Sequence, residues 1–135
     1  MAKTPVELKI DGFETREVML VTYSFNKSTD AEGQLTGIPR GGKIRIRVKA
    51  MNNGNPELLH WMLQPDMPKD GSLTFFDTKT GSKMKEIGFR DSYCVDYCEY
   101  WEDKTDSGGD AHYEEIVITF RELNNGPVSY SYNWA

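Results

Sequence analysis

Long apolar runs are missing from this chain of 135 residues. The N-terminal stretch MAKTPVELKIDG has no apolar segment of signal-peptide length behind its basic start, which excludes a secretory leader, and no window reaches the length of a membrane span. The sequence therefore predicts a chain made in the cytoplasm, without membrane insertion. Cysteine is scarce as well, with two residues, Cys94 and Cys98, both inside SYCVDYCEYW, and histidine is limited to two. On one strand, four residues at ~3.3 Å each place the two thiols roughly 13 Å apart, too far for a disulfide. Two cysteines spaced C-x3-C, with His60 and His112 remote in sequence, do not make the spacing of a structural zinc site. Basic charge is also deficient: 16 Lys and Arg stand against 21 Asp and Glu, a net charge of −5, which argues against a nucleic-acid binder held by phosphate contacts. No composition break, long linker or internal repeat divides the chain, so residues 1–135 read as one domain.

Catalytic patterns are missing too. GIPRGGK, residues 37–43, fills the first seven positions of a phosphate-binding loop, but Ile44 follows where Ser or Thr must hold magnesium. Such a loop also leads into a helix, whereas Lys43 opens an alternating strand. Asp103, Asp106 and Asp110 do not have the alternating carboxylate spacing of a calcium loop. No serine or cysteine sits in a nucleophile motif. The sequence therefore predicts no catalytic residue, no metal site and no cofactor.

What the chain has is period-two patterning. Strands are expected at 6–10, 18–25, 43–50, 73–77, 83–89, 92–101, 113–121 and 128–134, about eight in all. KTGS (79–82), SGGD (107–110) and NNGP (124–127) supply the turns between them. In the 92–101 strand, strict alternation puts Tyr93, Val95, Tyr97 and Trp101 on one face and Ser92, Cys94, Asp96, Cys98 and Tyr100 on the other, a pattern suited to a strand covered on both sides. One segment departs from this rhythm. In NPELLHWMLQP, Asn55 reads as the N-cap, Pro56 as the first helical residue, Leu58, Leu59, Met62 and Leu63 as an apolar stripe, and Pro65 as the stop. The expected fold is mainly β, a small antiparallel β-barrel flanked by one α-helix over 55–64.

Charge is segregated along the chain. Arg40, Lys43, Arg45, Arg47 and Lys49 form a stretch without an acid, and the last four share one face of a strand. Residues 99–115 carry Glu99, Glu102, Asp103, Asp106, Asp110, Glu114 and Glu115 against Lys104 alone. Two solvated surfaces are the plain interpretation. The sharper one sets the basic stripe against carboxylates such as Glu102, Asp103 or Asp106 of an adjacent subunit, and a lumen-facing stripe is its alternative. The tyrosines and tryptophans Tyr93, Tyr97, Trp101, Tyr130, Tyr132 and Trp134 could instead line the cavity of a monomeric ligand-binding barrel.

The order of these segments carries a resemblance. VELKIDG is followed by YSFNKSTDAEGQLTGIPRGGKIRI, in which a long polar loop separates two strands. NPELLHWML, GSLTFFDTKTGSKMKEIGFRDSYCVDY and EEIVITFRELNNGPVSYSYNW then come in turn. Together they resemble the Hcp (TssD) family, the tube protein of bacterial type VI secretion, with wording closer to the Bacteroidetes branch. The resemblance implies a non-enzymatic β-barrel that forms hexameric rings stacking into a tube. That tube would assemble in the bacterial cytoplasm inside a contractile sheath, be tipped by a spike protein, and carry effectors out of the cell without a signal peptide. A tail-tube protein of a phage or other contractile injection machine is the related alternative. Loop 26–42 is far longer than a hairpin needs, and the resemblance implies that it touches the next ring through Lys27, Asp30, Glu32, Gln34, Leu35, Ile38 and Arg40.

Overall fold

The structure, a computed structural model, describes residues 5–37, 42–51, 53–103 and 111–131. Its elements in chain order are β1 (Val6–Ile10), β2 (Arg16–Tyr23), β3 (Lys43–Lys49), α1 (Glu57–Leu63), β4 (Lys69–Phe76), β5 (Lys83–Ser92), β6 (Cys94–Glu102), β7 (Ala111–Thr119), β8 (Glu122–Asn125) and β9 (Val128–Ser131). Every ladder is antiparallel, and the strands form one nine-stranded sheet in the order β6-β7-β3-β2-β1-β4-β5-β8-β9.

Alternation explains the core. In β3, Ile44, Ile46 and Val48 are fully buried between outward basic residues, and Ile116 and Ile118 stand beside them in β7. From the other half of the sheet come Leu8, Leu73, Ile87 and Phe89, so both halves turn their apolar faces onto one core. Gly71 belongs to this packing, because a Cβ there would lie 2.5 Å from the Lys9 carbonyl and 2.6 Å from the Phe89 ring. The ring occupies the space a side chain would need.

Four sequence expectations change here. The sheet is mainly β with one helix, as expected, but it is open: among the described residues no ladder joins β6 to β9. Among the described residues β6 pairs only with β7 and β9 only with β8, so these two strands are the ends of the sheet. The ninth strand is β8, which the sequence reading placed in a turn; a break after Thr119 redirects the chain, and Gly126 at φ +60 makes the tight return to β9. The helix starts one residue later than expected. Pro56 occupies the cap position, and the Asn55 side chain donates to Glu57 Oε1 instead of capping the backbone. Its buried face is Leu58 and Trp61, with Leu59 and Leu63 exposed, because the indole N–H donates to the Met67 carbonyl and turns Trp61 inward.

The fourth change concerns β6. A bulge between Cys94 and Asp96 breaks the alternation, so Cys94 and Tyr97 both face the core while most of the strand is exposed. It is an edge strand, not one covered on both sides.

One polar cluster is sealed beside this core. Arg16 Nη2 donates to Glu114 Oε1 at 2.6 Å and to the Lys49 carbonyl at 2.8 Å, and Tyr97 Oη donates to Glu114 Oε2 at 2.6 Å. Arg16 and Glu114 are both buried. Burial, and then the Glu114 contact, push the Tyr97 phenol well above its ordinary value, so its proton stays on. The cluster ties β2, β3, β7 and β6 together at one level. Removing only one charge leaves the other buried and alone, so Arg16→Met is expected to cost about 3–5 kcal/mol, whereas Arg16→Met with Glu114→Met recovers most of that loss. Urea unfolding of the two single variants and the double variant measures the coupling.

Candidate functional site

The side chains of β6, β7, β3 and β2 that point away from the core form an uncovered face. Lys43, Arg45, Arg47 and Lys49 run along β3 as the sequence predicts, but their charge partner lies within the chain. Glu115 stands opposite Arg47 in the β3–β7 ladder. Its Oε2 accepts from Arg45 Nη1 at 2.6 Å, and its Oε1 accepts from Arg47 Nε at 3.0 Å. Burial opposes ionisation of Glu115, yet the hydrogen bonds from Arg45 and Arg47 outweigh it and hold the carboxyl below its ordinary value. The Arg47 guanidinium lies 4.4 Å from the centre of the Tyr113 ring, and Tyr113 stacks on Tyr100 at 5.0 Å. Lys49 Nζ reaches Glu17 Oε2 at 3.1 Å, and Lys43 has no ion pair among the described residues.

Glu102, expected to face the basic stripe, accepts the Tyr100 hydroxyl. Asp103 follows it, exposed at the end of β6, while Asp106 and Asp110 lie outside the described residues. Sequence reasoning missed Glu115 as the partner, although the signal was present. In YEEIVITF, Glu115 sits between Glu114 and Ile116, both buried on the core side, so alternation aims it outward beside β3.

The long loop after β2 holds a miniature hairpin. Thr29 and Leu35 form an isolated bridge, and the Thr36 N–H donates to the Ser28 carbonyl at 2.9 Å. Asp30 Oδ1 accepts from the N–H groups of Glu32 and Gln34, each at 2.9 Å, and Gly33 at φ +87 completes the turn. Lys27, Asp30, Glu32, Gln34 and Leu35 are all exposed on it. Ile38 and Arg40 lie outside the described residues.

The two cysteines part company. Cys94 is buried, donates to the Asp96 carbonyl at 3.4 Å, and has its thiol pushed up to about 11 by burial; Cys98 is exposed beside Glu115. Among the described residues no group of His, Cys, Asp and Glu could hold a metal ion, and no helix is long and apolar enough to cross a membrane. Lys43 opens a strand, so the phosphate-loop lookalike lacks the helix that such a loop requires. Among the described residues, Tyr93, Tyr97, Trp101 and Tyr130 do not gather around one cavity. Tyr93 bonds Asp66, Tyr97 bonds Glu114, Trp101 is exposed and Tyr130 packs on Phe25. Tyr132 and Trp134 lie outside the described residues.

Two strand edges complete the site. β1 pairs with β2 only at Glu7↔Glu17 and Leu8↔Arg16, so the same edge of β2 from Val18 to Tyr23 has no partner among the described residues. β6 pairs with β7 alone.

Comparison with known proteins agrees with this geometry. The profile of the Hemolysin coregulated protein Hcp (TssD) matches residues 2–135. Hcp1 from Flavobacterium johnsoniae superposes with a TM-score of 0.84 at 28% identity, covering 94% of this chain and 98% of that one. A type VI secretion system effector from Yersinia pestis gives 0.70 at 14% identity over 96% and 99% of the two chains. The secreted protein Hcp3 from Pseudomonas aeruginosa gives 0.58 at 13% over 98% and 100%. No curated protein matches the sequence. This chain therefore belongs to the Hcp (TssD) family, the tube proteins of type VI secretion, which are structural proteins and not enzymes.

Proposed function

We propose that this chain closes into hexameric rings that stack into the inner tube of a type VI secretion system, propelled by a contractile sheath behind a spike protein and carrying effectors in the lumen. Six is the number that the family resemblance implies. The observation that carries the reading is a pair of long strand edges left unpaired among the described residues, that of β2 without a charge and that of β6 with Asp96, Glu99 and Glu102 but no lysine. Folded proteins blunt free edges with lysine, proline or short length. Here the free edge of β2 reads VMLVTY, without a charge or a proline, and the nine-residue β6 reads CVDYCEYWE, without a lysine or a proline. These edges bound opposite sides of the β6-β7-β3-β2 half-sheet. A contact between different edges of identical subunits is heterologous and generates a ring or a filament.

The strand count supports the same assembly. Four antiparallel strands alternate in direction, so β6 and β2 run oppositely, and copies related by rotation about an axis along the strands meet in an antiparallel ladder like the others. The remaining strands and α1 pack on the core side of the half-sheet. A closed ring of such half-sheets keeps that bulk outside and turns the uncovered face inward. Lys43, Arg45, Arg47 and Lys49 would then line the lumen. Across the seam, Glu102 and Asp103 of one copy would lie two strand spacings, about 10 Å, from the basic stripe of the next, within reach of long side chains. The hairpin bearing Lys27, Asp30, Glu32, Gln34 and Leu35, with Ile38 and Arg40 beyond it, would meet the neighbouring ring.

Replacing residues 27–36 with a short Gly-Ser turn is expected to leave single rings and abolish stacks in negative-stain electron microscopy. Tubes of normal length from the shortened chain would reject the stacking role, and a wild-type chain that never forms rings would reject the tube reading. Charge reversal separates the two sets of cations. Lys43→Glu with Lys49→Glu is expected to weaken rings in sedimentation more at low salt than at 1 M, where the Debye length is about 3 Å. Equal assembly of wild type and variant at both salts would remove the basic stripe from the subunit contact.

A further inference from the structure

We propose that Trp101 is the apolar anchor of the contact between subunits, seated against Met19 of a second copy. This rests on the ring reading and adds the residues that hold the seam. Trp101 is 59% exposed near the C-terminal end of β6, on the side of the strand that also carries Tyr97 and Glu99. It lies beyond the end of the core, opposite the exposed His112, and no described residue encloses the indole. On the other side of the half-sheet, the register of β2 slips between Val18 and Leu20, and Met19 in that slip is 51% exposed, with Leu20 at 38%. A bulge re-aims a side chain. Here it presents a thioether beside a free edge that Val18, buried in the core, could not reach.

Chemistry and charge both point to a second copy as the occupant. Tryptophan is enriched among residues that dominate protein contacts, and methionine sulfur packs favourably against aromatic rings. Around these two patches the charges are complementary: the uncovered face of β6 carries Asp96 and Glu102, and β3, next to β2, carries Lys43 and Lys49. The edge bearing Trp101 is thus acidic, and the edge bearing Met19 borders a basic row. Met84 is also exposed, at 66%, but it lies on β5, in the half of the sheet that carries neither β6 nor β2, and so serves as an internal control.

The test uses the full chain carrying Trp134→Phe, so that emission comes from Trp61, which is buried, and Trp101. Rings are followed by sedimentation over a dilution series, and acrylamide quenching is read at each concentration. The proposal expects part of the emission to be readily quenched in dissociated protomers and shielded, with a blue shift, once rings form. Trp101→Ala and Met19→Glu are each expected to raise the concentration at half-assembly at least tenfold while the protomer keeps its circular dichroism, and Met84→Glu is expected to assemble as wild type does. Rings in which Trp101 stays as quenchable as in the protomer, or wild-type assembly by Trp101→Ala, would overturn the anchor while leaving the ring intact. A parent chain that stays monomeric at every concentration would overturn the ring reading and this contact with it.

Discussion

The shortness of the β1–β2 ladder governs the rest of the structure. Pairing stops at Leu8↔Arg16 and Glu7↔Glu17, and β2 then continues alone on that side for six residues. Arg16 stands at this divergence with its guanidinium buried against Glu114 and the Lys49 carbonyl. Those bonds hold the start of β2 to the β3–β7 side while β1 turns away toward β4. The buried charge pair contributes little net stability compared with an apolar pair of similar size. Its effect is positional: it fixes the start of β2 against β3 and β7 at the point where the β1–β2 ladder ends.

The same division separates the roles of the two halves. The β1-β4-β5-β8-β9 half buries Leu8, Leu73, Ile87, Phe89 and Leu123 and supplies one wall of the core. The β6-β7-β3-β2 half supplies the other wall, and among the described residues no helix or strand covers its far face. On that face Glu115 clamps Arg45 and Arg47, and Arg47 lies over a Tyr113–Tyr100 stack. The clamp neutralises the centre of the basic stripe inside one subunit and leaves Lys43 and Lys49 at its two ends. A tube lumen built from this face would be lined by mixed charge and aromatic rings instead of an unbroken cationic surface. Such a surface has no strong single-sign field to retain a passing protein.

Much of this was legible in the sequence. The β3 pattern KIRIRVK gave both the buried row and the outward cations, because strict alternation needs no tertiary information. The single helix, the hairpin around Gly81 and the turn at Gly126 were legible from turn chemistry, but the strand β8 that leads into that last turn was not. What failed was local. The bulge after Cys94 shifts the phase of β6, and nothing in CVDYCEY marks an inserted residue. The inward turn of Trp61 depends on a carbonyl six residues away. Nothing in the sequence joins Arg16 to Glu114, 98 positions later, which closes over it. The expected barrel is an open sheet among the described residues, because strand number can be counted from a sequence, whereas which strands end the sheet, here β6 and β9, cannot.

Amide hydrogen exchange on assembled and dissociated protein tests the central claim most directly. If the free edges of β2 and β6 are the seam, the outward amides of residues 18–23 and of β6 exchange quickly in the protomer and become protected in the ring, while the 28–36 hairpin changes only when rings stack. Rings in which those edge amides exchange as fast as in the protomer would contradict the account.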